Sequence, residues 1–117
     1  RRRLAYVRPK VEKDDNGKNI ITYEGIDNSH KWNRLKTYGA KLVENITQGV
    51  ARDLLLYAMQ NMQDMEIVGH VHDEVIMECT PDVSVEQVCE LMGQTPEWAE
   101  GLLLRADGYE CAFYMKQ

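Results

Sequence analysis

Apolar residues change their spacing several times along this chain, and each change predicts a different element. Arg3-Leu4-Ala5-Tyr6-Val7-Arg8 predicts a short strand that Pro9 should close. Asp14-Asp15-Asn16-Gly17 is a turn signature, because Asn and Gly tolerate the positive φ of tight turns. Lys18-Asn19-Ile20-Ile21-Thr22-Tyr23-Glu24 is rich in β-branched and aromatic residues and predicts the returning strand. Gly25 to Asn33 reads as a polar loop carrying Trp32. From about Thr37 to Met62 the spacing turns helical: Leu42, Val43, Ile46, Val50, Leu54, Tyr57 or Ala58, and Met62 recur at steps of three and four. A helix of that length spans about 35–40 Å. Gly49 inside it predicts the close approach of another backbone.

Met65 to Val71 and Val75 to Cys79 predict two strands around the turn His72-Asp73-Glu74, ended by Pro81. Ser84 with Gln87 three residues later has capping-box spacing, so a helix should run from there to Met92. Thr95-Pro96-Glu97 predicts another short helix. Leu102 to Ala106 and Cys111 to Tyr114 read as closing strands around Asp107-Gly108. The whole order predicts an α+β domain: an antiparallel sheet with one long helix and two shorter helices.

Composition removes several classes. The 117 residues suffice for one modest core, and a hydrophobic share of 44% with 28% charged residues is ordinary for a globular protein. No apolar run approaches the ~20 residues of a membrane-spanning helix. Cys79, Cys89 and Cys111 form neither a closed disulfide framework nor a Cys-x-x-Cys knuckle, which suits a reducing cytoplasm. The chain opens on Arg1 rather than methionine, so a piece of something longer is expected. Charge changes the picture more. Residues 1–41 hold 11 Lys and Arg against 5 Asp and Glu, whereas residues 42–117 hold 3 against 14. A basic entry segment suits phosphate contact, and an acidic remainder suits metal binding or a solvated surface.

His70-Val71-His72-Asp73-Glu74 is the densest run of potential ligands. At the junction of two antiparallel strands it would expose Asp73 and Glu74 at one sheet edge. Mg²⁺ favours one or two carboxylates plus substrate phosphates, so such an edge is half of a magnesium site. His-x-His on one strand face with Asp73 also admits a small zinc hydrolase, although His30 is the only other histidine. On the long helix, Lys41, Glu44 or Asn45, Gln48 and Arg52 follow i, i+3/4, i+7 and i+11, a polar stripe that either reaches into a DNA minor groove or faces solvent. A stand-alone module that binds nucleic acid or a protein without catalysis fits these features as well.

Thr37-Tyr38-Gly39-Ala40-Lys41-Leu42-Val43-Glu44-Asn45-Ile46-Thr47-Gln48-Gly49-Val50-Ala51-Arg52-Asp53, followed by Val71-His72-Asp73-Glu74-Val75, resembles the family A DNA polymerases, phage-type members above all. Arg1 to Tyr6 resembles the strand leading from fingers to palm, and Ala106 to Glu110 with Phe113-Tyr114 resembles the phage-type C-terminus. The resemblance implies that residues 1–117 are the C-terminal part of a palm domain, with His72-Asp73-Glu74 as motif C. It implies that Asp73 is a catalytic, Mg²⁺-binding carboxylate and Glu74 an auxiliary one. His72 and Gln48 would lie against the primer–template, with Lys41 and Arg52 on the same DNA-facing stripe. The implied partners are primer–template DNA, a deoxynucleoside triphosphate and the rest of a polymerase chain, in the cytoplasm of a bacterium or phage-infected host. The second catalytic aspartate and the nucleotide-binding fingers helix lie upstream in that family, which implies that these 117 residues do not extend a primer alone.

Overall fold

The computed structural model describes residues 3–115 as two compact units, the first ending at Gln48 and the second beginning at Gly49. The fold is α+β, with two antiparallel sheets, one long helix and one shorter one. In the first unit β1 (Val7–Lys13), β2 (Asn19–Ile26) and β3 (Trp32–Thr37) form a three-stranded antiparallel sheet in that order. Helix α1 (Gly39–Asn61) begins in this unit and ends in the second. The second unit continues with the hairpin β4 (Glu66–Val71) and β5 (Glu74–Glu78), then helix α2 (Val85–Met92) and a single 3₁₀ turn at Glu97–Ala99.

The β1–β2 turn forms where Asp14 to Gly17 predicts it. Asp14 Oδ1 accepts from the backbone amides of Asn16 (2.9 Å) and Lys18 (2.8 Å), and Gly17 takes the left-handed φ of 77°. Strand β1 lies further along than expected. It starts at Val7 and runs through Pro9, whereas proline should have ended it. Two circumstances permit this: β1 is an edge strand, and its register slips between Val7 and Lys10, where Arg8 adopts φ 45°. A proline at an edge-strand irregularity withholds no ladder hydrogen bond.

Strand β3 corrects the expected loop. Asp27, not Gly25, opens the turn: its Oδ1 accepts from the Ser29 amide (2.9 Å), the Ser29 hydroxyl (2.7 Å) and the Lys31 amide (3.1 Å). Trp32 then pairs with Ile26, and the ladder continues to Thr37 opposite Ile21. The sheet's two faces differ. Ile21, Tyr23, Leu35 and Thr37 share one face, against which Leu4, Tyr6 and Leu42 line a small cavity. Tyr6 stacks edge-on to Tyr23 with centroids 5.1 Å apart, and Asn45 Nδ2 of α1 donates to the Tyr6 hydroxyl at 3.0 Å. Lys10, Thr22 and Lys36 are register partners on the opposite face, with Glu24 opposite Arg34 and Ile26 opposite Trp32.

The Asp27 turn gives the first sheet a pH dependence. The Ser29 hydroxyl, then the Lys31 amide, hold the Asp27 carboxyl below its ordinary 3.8. A depressed folded-state pKa means that the stabilisation is complete above the unfolded value and is lost as pH falls through the lower folded one. Amide protection in β2 and β3 is therefore expected to fall on acidification below about pH 4. In Asp27→Asn that acid limb should vanish, a comparison read by hydrogen exchange.

Helix α1 ends one residue before the predicted boundary, and the predicted apolar stripe is buried at its C-terminal end, at Ala58 and Met62, but not along its first half. Leu55, Ala58 and Met62 are buried, whereas Val43, Ile46 and Val50 are 60%, 54% and 40% exposed. At 3.6 residues per turn the two sets lie about a third of a turn apart round the helix. Among the described residues no neighbour lies within 4 Å of the position a Cβ would take on Gly49, contrary to the close approach expected there.

In α2 the Ser84 hydroxyl accepts from the Gln87 amide at 3.2 Å, the cap that the spacing predicts. The second short helix shrinks to one 3₁₀ turn, since Thr95 does not cap it and instead donates to the Leu102 carbonyl at 3.0 Å. Residues 102–115 form no strand, correcting the two closing strands. They run back along α2: a Cβ on Gly93 would sit 3.5 Å from the Leu104 carbonyl oxygen, and one on Gly108 3.1 Å from Val85 Cγ1 and 3.3 Å from Cys89 Sγ. Packing against a helix through glycine has replaced ladder pairing. The three cysteines are free thiols.

Candidate functional site

The β4–β5 hairpin closes with a two-residue loop, because Val71 pairs with Glu74 and leaves only His72 and Asp73 unpaired. Glu74, expected in the turn, is the first residue of β5. His72 has φ 52°, a left-handed conformation that costs a non-glycine residue on the order of 1 kcal/mol. A two-residue hairpin loop demands positive φ at its first position, which His72 supplies. The hairpin bends as well: Ile67 pairs with Met77 but Gly69 with Ile76, so β4 carries one extra residue at Val68.

These features sort the two carboxylates. Asp73 sits exposed at the loop tip, and Glu74 is half-buried at the start of β5. Both line a 540 Å³ cavity whose other walls are β5, α2 and the segment around Tyr109. Burial, then the charges of Cys111, Glu74 and Tyr114, pushes the Tyr109 phenol above its ordinary pKa of 10.0. Its hydroxyl donates to the Met115 carbonyl. Tyr109 thus stands within electrostatic reach of Glu74, a role that spacing alone did not assign. The only sequence signal for it was the likeness of Ala106 to Glu110 to a polymerase C-terminus.

His70 and His72 do not continue one strand face: His70 is exposed on β4, and His72 lies in the turn beyond its end. Among the described residues no group of three or more His, Cys, Asp and Glu side chains could hold a metal ion. Asp73 and Glu74 carry hard oxygen donors of the kind that Mg²⁺ takes.

On α1 the polar stripe forms. Glu44 joins its neighbours, with Lys41 Nζ 3.6 Å from Glu44 Oε2 and Gln48 Nε2 donating to Glu44 Oε1 at 3.4 Å. Glu44, rather than Asn45, therefore belongs to the stripe, since Asn45 is turned to Tyr6. Lys41, Gln48 and Arg52 are all exposed. The Lys41–Glu44 pair is half-exposed on both sides and adds little stability, so the stripe stays free to exchange partners.

The hairpin loop yields a prediction that separates stability from function. Replacing His72 by glycine removes the left-handed penalty, so the hairpin should gain about 0.5–1 kcal/mol. The expected result is a higher unfolding midpoint in urea for His72→Gly, together with a weakening of any binding to which the imidazole contributes.

Over 98% of its length the chain is 44% identical to a protein of Bacillus phage SP02 named DNA polymerase, and it spans 18% of that protein. It therefore corresponds to one segment of that protein. No protein-family model and no solved structure matches it. No helix among the described residues is long and apolar enough to cross a membrane.

Proposed function

We infer that this chain, as a segment of a DNA polymerase, is the C-terminal part of a family A palm and serves DNA-directed DNA synthesis. The observation that carries this reading is the β4–β5 hairpin. Its two-residue loop holds Asp73 exposed beside a strained His72, within a chain 44% identical to a phage DNA polymerase segment. In this reading the hairpin is motif C, with Asp73 the catalytic carboxylate and Glu74 an auxiliary one. Lys41, Gln48, Arg52 and His72 contact the primer–template, and the rest of the polymerase chain completes the site in the cytoplasm of the host.

The expected cofactor is Mg²⁺, which when bound supplies positive charge at the transferring phosphoryl group. This chain's own share is Asp73, aided by Glu74. The loop fixes the Asp73 backbone by cross-strand pairing on both sides, so its carboxylate is presented without a long flexible stem. Exposed amides and cations along α1 suit groove and phosphate contacts that hold a duplex in register without reading sequence. In this reading the rest of the polymerase chain supplies the remaining ligands, so the 117-residue chain alone does not extend a primer.

The test is primer extension by the full-length protein that contains this chain, beside the 117-residue chain purified alone. The expected result is Mg²⁺-dependent, template-directed extension by the first and none by the second. Extension by the short chain would sink the shared-site reading, and no extension by the full-length protein would sink the polymerase reading itself.

A further inference from the structure

On one face of the three-stranded sheet of the first unit Thr22 is buried under the Arg34 side chain, while Lys10, Lys36 and Trp32 around it are exposed. The face bearing Ile21, Tyr23 and Leu35 is occupied by Leu4, Tyr6 and Leu42. The other face carries a basic row. Lys10, Thr22 and Lys36 lie opposite one another on β1, β2 and β3, and Arg34 and Trp32 follow Lys36 at two-residue steps along the same side of β3. Same-face residues on a strand stand about 6.7 Å apart, so three cationic and aromatic groups line up over about 13 Å of β3.

Acidic residues on this face are Glu12 and Glu24. Glu24 is already matched, with Arg8 Nη1 2.7 Å from its Oε2. Arg34, across the ladder from Glu24, donates to the Thr22 hydroxyl (2.9 Å) and the Arg8 carbonyl (3.1 Å), neutral acceptors that fix the guanidinium. No carboxylate among the described residues lies at ion-pair distance from Lys10, Arg34 or Lys36. At one end of the row the Trp32 side chain is 59% exposed beside its register partner Ile26, 65% exposed.

We propose that this face is a binding surface for single-stranded DNA, with Lys10, Arg34 and Lys36 on its phosphates and Trp32 stacked on an unpaired base. Charge complementarity selects a polyanion, since cations gain affinity by releasing counterions. The exposed indole selects a single strand over a duplex: bases within a duplex already stack on each other, whereas an unpaired base offers its face to an aromatic ring. The anchored guanidinium and the rigid three-stranded ladder pre-organise the row, lowering the entropic cost of ordering it on the ligand. The inference rests on the polymerase reading for one point, the identity of the strand as DNA. It adds a surface made of residues other than the hairpin and helix residues to which that reading assigns the primer–template.

The experiment is fluorescence anisotropy with the full-length protein, using labelled oligothymidylate and a blunt duplex across a salt series. Trp32→Ala should weaken oligothymidylate binding about tenfold, and Trp32→Phe should restore most of it. The double variant Lys10→Gln/Lys36→Gln should weaken binding and flatten the salt slope by about 1.4, two contacts at about 0.7 each. Lys13→Gln removes a charge from the opposite face and should change neither. Unaltered oligothymidylate binding in Trp32→Ala overturns the proposal. So does an equal loss for single strand and duplex, or a Lys13→Gln loss as large as that of the double variant. Oligothymidylate binding that depends on Trp32 in a protein that extends no primer would uphold the surface while removing the polymerase reading.

Discussion

Asp73→Asn should lower single-nucleotide incorporation by the full-length protein about a thousandfold, with primer–template affinity little changed. The size follows from what the substitution removes. Asparagine keeps the shape and the loop but gives up the negative charge that would help to hold a divalent cation at the transferring phosphoryl group. Loss of one pre-organised electrostatic partner in such a site costs about 3–4 kcal/mol of transition-state stabilisation, or roughly a thousandfold in rate. The structure also ranks the two carboxylates. Asp73 is exposed at the loop tip, whereas Glu74 is half-buried, paired with Val71 and near Tyr109. Glu74→Gln should therefore cost only about tenfold in the same rapid-quench assay, one unit of transition-state discrimination rather than three. An Asp73→Asn enzyme within about threefold of the parent rate, or a Glu74→Gln enzyme that falls further than Asp73→Asn, would overturn the assignment.

The hairpin was legible because its signals were local. A run of β-branched residues on each side of His72-Asp73 leaves only a tight turn between them, and the register then decides which residue lies at the tip. The capped helix α2 was legible for the same reason, Ser84 and Gln87 being three residues apart. What the pattern missed depended on partners far away in sequence. Strand β3 was hidden because Trp32-Asn33-Arg34-Leu35-Lys36-Thr37 carries a polar or charged residue at four of its six positions, two on each face of the sheet. Its existence rests on β2 rather than on its own propensity. Pro9 misled in the opposite direction, because a proline ends a central strand but not an edge strand at a register slip.

The candidate site divides in the same way. Glu44 or Asn45 could not be chosen from the helical spacing, since both positions fit the polar stripe within the angular width of a side chain. The choice was made by the hydroxyl of Tyr6, which takes the Asn45 amide and leaves Glu44 to join Lys41 with Gln48. Tyr109 was invisible to spacing altogether, because it reaches Glu74 across more than thirty residues of intervening chain. The missing strands at the C-terminus and this missed tyrosine have one cause: residues 102–115 pack on α2 instead of extending a ladder.

Helix α1 provides the second large effect, and it is one of stability. Periodicity established the helix but not which side of it would be covered, since apolar residues occur on more than one side of its 23 residues. Met62 is only 1% exposed and is the largest side chain among the fully buried ones, with Leu55 and Ala58 on the same stripe. Met62→Ala should cost about 2–4 kcal/mol, the lost transfer free energy plus a cavity that its neighbours fill only in part. Met62→Leu conserves volume and should cost less than about 1.5 kcal/mol. Ile46→Ala makes the informative contrast. Ile46 is 54% exposed, so in the 117-residue chain its truncation should change stability by no more than about 0.5 kcal/mol. In the full-length protein a larger cost at Ile46 would mean that another part of that protein covers the Val43–Ile46–Val50 stripe. Urea unfolding of the three variants in both contexts makes the comparison. Equal losses for Met62→Ala and Ile46→Ala in the short chain would show that its core is not the one formed by Leu55, Ala58 and Met62.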